Sequence, residues 1–392
     1  MVILLSRCAA VLGRVFGGSG WRMRGVLRGV CGLLLLVSPA WAEEVWPVPD
    51  WQVQPVVADQ RLAALQAYAF APRDETTRQG VRSNALLVVR DGRVVFERYA
   101  ASGGADIPQL SWSVSKSLMA SVLGVAWSEG RFRLDDPVQQ HYPPFAAHPQ
   151  VKMGHLLNWA SGLDWQEDYE FAPLRSSVVA MLYTRGRNDM AGFVAARDAA
   201  AAPGTRFNYS SGDSNVLSAA LQQMLGSAYA DYPWRALFEP LGIRSAVWER
   251  DGQGRFVASS YAYLSARDLA RVGLLMQRQG RWVDRQLIDP AWVDFVLSPF
   301  AGYQASQQAP GAPLPGAHWW LNRPPAGQSA RPWADAPADT FAALGHWGQA
   351  LYVVPSEGLV VVRFADDRDG RFSHNQLLAL VRAAFSAPQE HP

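Results

Sequence analysis

Ser113 and Lys116, in the run Ser113-Val-Ser-Lys116, combine a nucleophile with a titratable amine. Side chains three apart on a helix share a face. A helix beginning here would let the Ser113 hydroxyl meet the Lys116 amine, with the serine at the positive end of the helix dipole. Serine needs a base beside it to attack a carbonyl. An amine serves if its pKa falls from ~10.4 toward neutrality, a shift of about three units that costs roughly 4 kcal/mol and must come from burial and neighbouring groups. The pattern alone is weak. With two lysines it arises by accident roughly one time in seven, so it needs company.

Lysine usage adds weight. Of 36 basic residues only Lys116 and Lys152 are lysines; the other 34 are arginines. Arginine does not deprotonate in proteins, so it cannot be a general base. Lys152 sits in the polar lead-in to Leu156-Leu157 and reads as a solvated residue. Lys116 is the lysine at a position where a titratable amine has a use.

The elements that must position this pair are legible. Ala85–Tyr99 holds two β-branched runs meeting at Asp91-Gly92, a hairpin signal. A second strand pair, Leu351–Val354 and Leu359–Phe364, turns at Pro355-Ser-Glu-Gly358, and a helical stretch His374–Phe385 closes the chain. Between them lie helical patterns such as Ser113–Glu129, Val216–Leu225 and Ala266–Gln279. The expected fold is α/β in content, an α+β sandwich. An antiparallel sheet built from both chain ends is flanked by helices, with a mostly helical insertion over about 130–300. Residues 43–80 read as a peripheral lead-in, 81–390 as the main domain, and the Pro-, Gly- and Ala-rich stretch 300–340 as a covering loop.

Two further segments follow Ser113 in order. One is Pro203-Gly-Thr-Arg-Phe-Asn-Tyr209-Ser-Ser211, and the other is Ala343-Leu-Gly345-His346-Trp347-Gly348-Gln349 before the strand at 351. Together with S-x-x-K they resemble the Y-x-N and K-T-G boxes of the β-lactamase and penicillin-recognising serine hydrolases, on the class C side. That family includes DD-peptidases, esterases and 6-aminohexanoate-dimer hydrolases. Arg133-Leu-Asp-Asp-Pro-Val138, Leu156-Leu-Asn-Trp-Ala-Ser-Gly-Leu163 and Ser265-Ala-Arg-Asp-Leu-Ala-Arg271 extend the resemblance across roughly residues 80–385. It implies a β-lactamase-like fold with Ser113 acylated, Lys116 as base or proton shuttle, and Tyr209 as their proton partner. It implies an oxyanion hole made by the backbone N–H groups of Ser113 and Gln349, and substrate contacts from Ser211, His346, Trp347 and Gly348. Trp165-Gln-Glu-Asp-Tyr169 resembles the segment of the dimer hydrolases whose tyrosine bonds substrate, which makes Tyr169 a further candidate.

The boxes also depart from the pattern. Ser211 replaces the asparagine amide. His346 and Trp347 replace the lysine and hydroxyl residue that grip a β-lactam carboxylate, and an unperturbed histidine is largely neutral at pH 7. Antibiotic hydrolysis is therefore not the expected main activity. Trp112, Trp159, Trp319, Trp320, Trp333 and Trp347 are candidates for an apolar cleft, or simply core.

Composition bounds the rest. The chain has 392 residues, with 49% hydrophobic and 18% charged, which excludes wholesale disorder. A net charge of +2 without a basic run leaves no nucleic-acid footprint. Residues 22–42 carry a basic start, an apolar stretch around Leu33–Leu36 and the small-x-small end Ala40-Trp41-Ala42, so 1–42 reads as a cleavable leader and the mature chain as periplasmic or secreted. The stretch is too short for a stable membrane span. Translation could begin at Met23. Cleavage removes five arginines, no acid and both cysteines (Cys8 and Cys31), leaving 31 basic and 34 acidic residues, net −3. No metal or cofactor is expected.

The reading that follows is an exported serine hydrolase acting on a small ester, amide or peptide. A DD-peptidase or β-lactamase, and a non-catalytic binding protein on the same scaffold, stand as alternatives. Oligomeric state and substrate identity stay open.

Overall fold

The main sheet takes its strands from the two ends of the chain. A computed structural model describes residues 44–100, 103–304 and 311–386; the expected leader and both cysteines lie outside them. Strands β1 (Ser83–Arg90) and β2 (Arg93–Tyr99) come early. Strands β3 (Leu314–Pro315), β4 (Trp320–Leu321), β5 (Phe341–Gly345), β6 (Gln349–Val354) and β7 (Leu359–Ala365) come late. The order across the sheet is β2-β1-β7-β6-β5-β4-β3, and every pairing is antiparallel. The first and last segments of the domain meet at β1 and β7, with Leu87 opposite Val362 and Val88 opposite Val361.

The β1–β2 turn forms where Asp91-Gly92 predicts it, with φ of +50° and +80°. Such values suit the tight hairpin turns that match strand twist. Gly92 has a second reason to be glycine: a Cβ there would collide with the Val45 carbonyl.

The strands read as near-continuous apolar runs because both faces of the sheet are covered. Ala85, Leu87 and Val89 of β1, Val360 and Val362 of β7, and Leu351 and Val353 of β6 face the larger core. Their alternates Leu86, Val88, Val361, Ala350, Tyr352 and Val354 face a smaller one. The smaller core is closed by helices α1 (Gln60–Ala69) and α5 (His374–Phe385), through Leu62, Leu65, Leu377, Leu378 and Val381. The 43–80 segment is thus less peripheral than its composition suggests: the apolar spacing at 62, 65 and 69 is that of an amphipathic helix. It shares one compact unit with the rest of the described chain from Glu44 onward.

The larger core holds helices α2 (Val114–Ser128), α3 (Ser211–Leu225) and α4 (Ala266–Gln277). Helix α2 is buried continuously from Val114 to Ala126. Its residues are apolar or small apart from Lys116, which suits a helix enclosed on all sides, and Lys116 is the charged residue it carries. Helices α3 and α4 are capped by Ser210 and Ser265, whose hydroxyls accept the N–H of Asp213 and Asp268. The 300–340 stretch is not only a covering loop. Leu314–Pro315 and Trp320–Leu321 pair with each other, and Trp320–Leu321 pairs with β5, which extends the sheet edge.

Candidate active site

Ser113 enters α2 from a strained turn. Trp112 has φ +48°, a region bulky L-residues avoid. Strain of this kind persists only where surroundings over-determine it. Here the Trp112 ring is packed by Tyr261, His346 and Trp347. The turn is also tied to the strand Ala262–Leu264: Ser111 N–H donates to Ala262 O at 2.9 Å, and Ala262 N–H donates to the Ser115 hydroxyl at 3.1 Å. The Ser113 side chain makes no capping hydrogen bond, which leaves its hydroxyl for other partners.

One of those partners is Lys116. Its amine donates to Ser113 Oγ at 3.0 Å and to the Ser259 carbonyl at 3.0 Å, and the residue is 1% exposed. Burial pushes the lysine pKa down to about 8; the Glu167 carboxylate works in the opposite direction. The shift that the sequence argument requires therefore comes from the burial of Lys116 on a helix that is enclosed along most of its length. Near neutral pH a useful fraction of the amine is unprotonated and able to accept the serine proton.

The second partner is Tyr209, in the segment leading to α3. Its ring lies 4.9 Å from Lys116 Nζ, and it lines the same cleft as Ser113. Desolvation and the Glu167 charge raise the phenol pKa. Ser113, Lys116 and Tyr209 thus meet, although 96 residues separate the first from the last.

The turn His346–Gly348 and the start of β6 close over the N-terminus of α2. Gly345 permits the approach, since a Cβ there would stand 2.5 Å from Ser111 O. A buried pair holds the turn from behind: Arg363 binds Asp367 through both ends of its guanidinium and donates to Gly348 O at 3.1 Å. Gly348 has φ +85°, and a Cβ there would collide with the Asp367 carboxylate. The Gln349 side chain is fully committed, to His346 O, Ala365 O and Ala365 N–H. Its backbone sits at the junction of turn and strand, where the second oxyanion donor is expected.

A cleft of about 760 Å³ opens over Ser113, with Tyr209, Tyr169, Glu167, Trp320 and His346 among its walls. Its volume suits a small-molecule substrate. Tyr169 packs against His346 with ring centroids 5.2 Å apart. His346 Nε2 lies 2.9 Å from the Glu170 carboxylate. Burial lowers the His346 pKa, Glu170 opposes that shift, and Arg368 adds to it.

Three expected substrate contacts are placed elsewhere. Trp347, at φ +58°, points away from the cleft, stacks beneath Arg368 and edges onto Trp112. It lines a separate hollow with Arg73 and Gln109. Gly348 serves the turn. Ser211 is fully buried, and both its N–H and its hydroxyl go to Glu167. The reason is common to all three: reading along a motif assigns every position to the cleft, whereas a tight turn and a helix start send successive side chains in different directions. Of the six tryptophans, Trp320 lines the cleft. Trp159 packs behind Tyr209 and Trp320, Trp319 and Trp333 are core, and Trp112 and Trp347 buttress the turn that leads into Ser113.

Glu167 is the residue that sequence reasoning passed over. It lies two positions before Tyr169 in the same segment, but one acid among Glu167, Asp168 and Glu170 carries no pattern that separates it from a solvated loop residue. Two other motifs have structural roles. Ser161 donates to the buried Asp213 of α3 at 2.8 Å, which fastens the Leu156–Leu163 segment to the Tyr209 box. Asp268 gathers Arg244 N–H, Ser245 N–H and the Ser245 hydroxyl. Among the described residues no group of three His, Cys, Asp or Glu side chains is placed to hold a metal ion, and no helix is long and apolar enough to cross a membrane.

The β-lactamase family model matches residues 58–384. The chain belongs to the β-lactamase family. This family assignment agrees with the relatives. A 6-aminohexanoate-dimer hydrolase of Paenarthrobacter ureafaciens is 27% identical over 349 residues, covering 83% of this chain and 82% of its own length. Among solved structures, a candidate 6-aminohexanoate-dimer hydrolase from Bacillus anthracis superposes with TM-score 0.66 at 18% identity, over 87% of this chain and 88% of that one. EstCE1, a hydrolase with promiscuous acyltransferase activity, gives 0.62 at 18% identity, over 84% and 99%. The fold is β-lactamase-like, and the chain is a serine hydrolase-like member of the family.

Proposed function

We propose that this chain is an exported serine hydrolase that cleaves small esters or amides through an acyl-enzyme on Ser113. The observation that carries the reading is the buried Lys116 amine, 3.0 Å from Ser113 Oγ with its pKa brought down to about 8. Ser113 Oγ attacks the substrate carbonyl while its proton passes into the Lys116–Tyr209 pair. These two groups act as one coupled unit, so the base belongs to the pair. The oxyanion is received by the backbone N–H groups of Ser113 and Gln349, worth a few kcal/mol to the transition state. Tyr209 returns the proton to the leaving group, and water then attacks the acyl-enzyme by the reverse route. Tyr169, which lines the same cleft, bonds the leaving amine of an amide in this reading.

The walls favour neutral or weakly charged substrates. Where the family's third box offers a lysine, this chain offers a histidine bonded to Glu170, and Glu167 and Asp168 add negative charge nearby. Arg206 is a cation on the same cleft, but at the position of the third box an anionic β-lactam meets no lysine, which weighs against antibiotic hydrolysis. The names of the dimer hydrolase and EstCE1 support amide and ester chemistry. Export rests on the leader-like residues 22–42; N-terminal sequencing of the protein recovered from its native compartment should begin at or near Glu43. The function is tested by a panel of p-nitrophenyl esters, short amides and nitrocefin, with Ser113→Ala as control. Ester or amide turnover that Ser113→Ala abolishes supports the reading. Nitrocefin as the best substrate, or turnover surviving Ser113→Ala, contradicts it.

A further inference from the structure

Glu167 brings a carboxylate into the wall of the cleft and then spends it on the protein. Its Oε2 accepts Trp165 Nε1 at 2.5 Å and Ser211 N–H at 3.0 Å, and its Oε1 accepts the Ser211 hydroxyl. Ser211 is the first residue of α3, a helix of 15 residues. The carboxylate therefore sits at the positive end of a long helix, with a hydroxyl and an indole N–H locking its orientation. The Ser211 hydroxyl stands at the third position of the Tyr209 box, so the substitution that removes an amide from that box also supplies the anchor for this charge.

We propose that Glu167 is a positioning residue of the reaction: fastened to the first turn of α3 through Ser211, its carboxylate supplies the fixed negative charge against which the Ser113–Lys116–Tyr209 relay moves its proton. The inference rests on the hydrolase reading above and names how that site is regulated by its own surroundings.

The groups facing Lys116 come from every element around it. Ser113 faces it from α2, the Ser259 carbonyl from the approach to the strand at 262, the Tyr209 ring from the segment before α3, and the buried His318 from the approach to β4. Desolvation pushes His318 down to about 3, so its ring is neutral at working pH. Glu167 is the charged group that acts on Lys116, and it raises the pKa of Lys116 and Tyr209 alike. Around Glu167 itself stand Trp165, Ser211, Tyr169, Tyr209 and the buried Asp213. Burial lifts Asp213 to about 7, with Glu167 adding to the shift, so it gains its charge across neutrality.

The sign of the effect is the same whichever member of the pair is the base. Removing the Glu167 charge lowers both pKa values, so the base is ready at lower pH. The test is the pH dependence of kcat/KM on a p-nitrophenyl ester for the wild-type chain, Glu167→Gln and Ser211→Ala, with fluorophosphonate labelling and thermal melting in parallel. Glu167→Gln should move the acid limb to lower pH by at least about half a unit, the low end for loss of a nearby charge. Ser211→Ala keeps the carboxylate and the backbone N–H but removes the hydroxyl anchor, and its limb should shift the same way by less. If Glu167→Gln does not fold, Glu167→Asp withdraws the charge by one methylene and should shift the limb the same way by less. A folded, labelled, active Glu167 variant with the wild-type limb overturns this inference alone. A wild-type chain that neither labels nor turns over removes the hydrolase reading, and this inference with it.

Discussion

The floor of the cleft and the His346–Gly348 turn above it are built on opposite terms. The floor is Ser113, Lys116 and Tyr209, held by a buried helix, a strained tryptophan and an aromatic backing of Trp159 and Trp320. Each side chain has one direction to point and a partner there. The turn keeps the shape of its box through Gly345, Gly348 and the Arg363–Asp367 pair, yet carries different side chains: one faces the cleft with a carboxylate on its ring, another faces away. The contrast separates two requirements. Bond-making chemistry needs exact residue types at fixed separations, while a turn proposed to receive an oxyanion through its backbone needs only its backbone path, so its side chains are available for substrate choice or packing.

The largest effect expected from breaking this contrast is on the floor. Lys116→Arg keeps a positive charge but removes the titratable amine. It should lower kcat/KM by at least ~10²-fold, the low end for losing a general base. Near-native turnover in a folded variant would reduce Lys116 to a fixed charge, and melting must be followed because a guanidinium in this pocket can overpack it. A middle-sized effect should come from the cleft wall. Tyr169→Phe removes the hydrogen bond to a leaving amine that the proposed function assigns to it, worth about 1 kcal/mol. Amide turnover should fall roughly fivefold to tenfold while p-nitrophenyl ester turnover, whose leaving group needs no such help, changes little. Equal losses on both would place Tyr169 in the floor's machinery instead. The smallest kinetic effect should come from the far side of the turn. Trp347→Ala should leave kcat/KM within about threefold yet lower the melting temperature, because the ring packs on Trp112 and Arg368 outside the cleft. A large kinetic loss without a stability loss would show that Trp347 reaches the substrate.

How much of this was legible follows the same division. The hairpin at Asp91-Gly92, the strand pair at 351–364 and helix α2 are local patterns, and they form where the pattern puts them. Ser113 and Lys116 were readable because i,i+3 spacing on a helix is geometry, and because lysine scarcity makes Lys116 conspicuous. Tyr209 came only through resemblance, since nothing local says a tyrosine 96 residues later will return to the same point. Ser211, Trp347 and Gly348 were placed in the cleft because a motif is linear, and the structure directs them into a helix cap, a back wall and a turn. Glu167 was missed because its meaning lies in Ser211, 44 residues on. The inner face of helix α1 was hidden by a segment rich in Pro, Gln and Trp.

The central claim, that Ser113 is the residue made reactive by a buried lysine, is tested most directly by fluorophosphonate treatment of the folded chain followed by peptide mass mapping. The account predicts one phosphonyl adduct, on the peptide containing Ser113, formed faster as pH rises through the Lys116 range near 8 and absent from Ser113→Ala. An unlabelled Ser113, or an adduct on Ser115 or Ser210 instead, would contradict it.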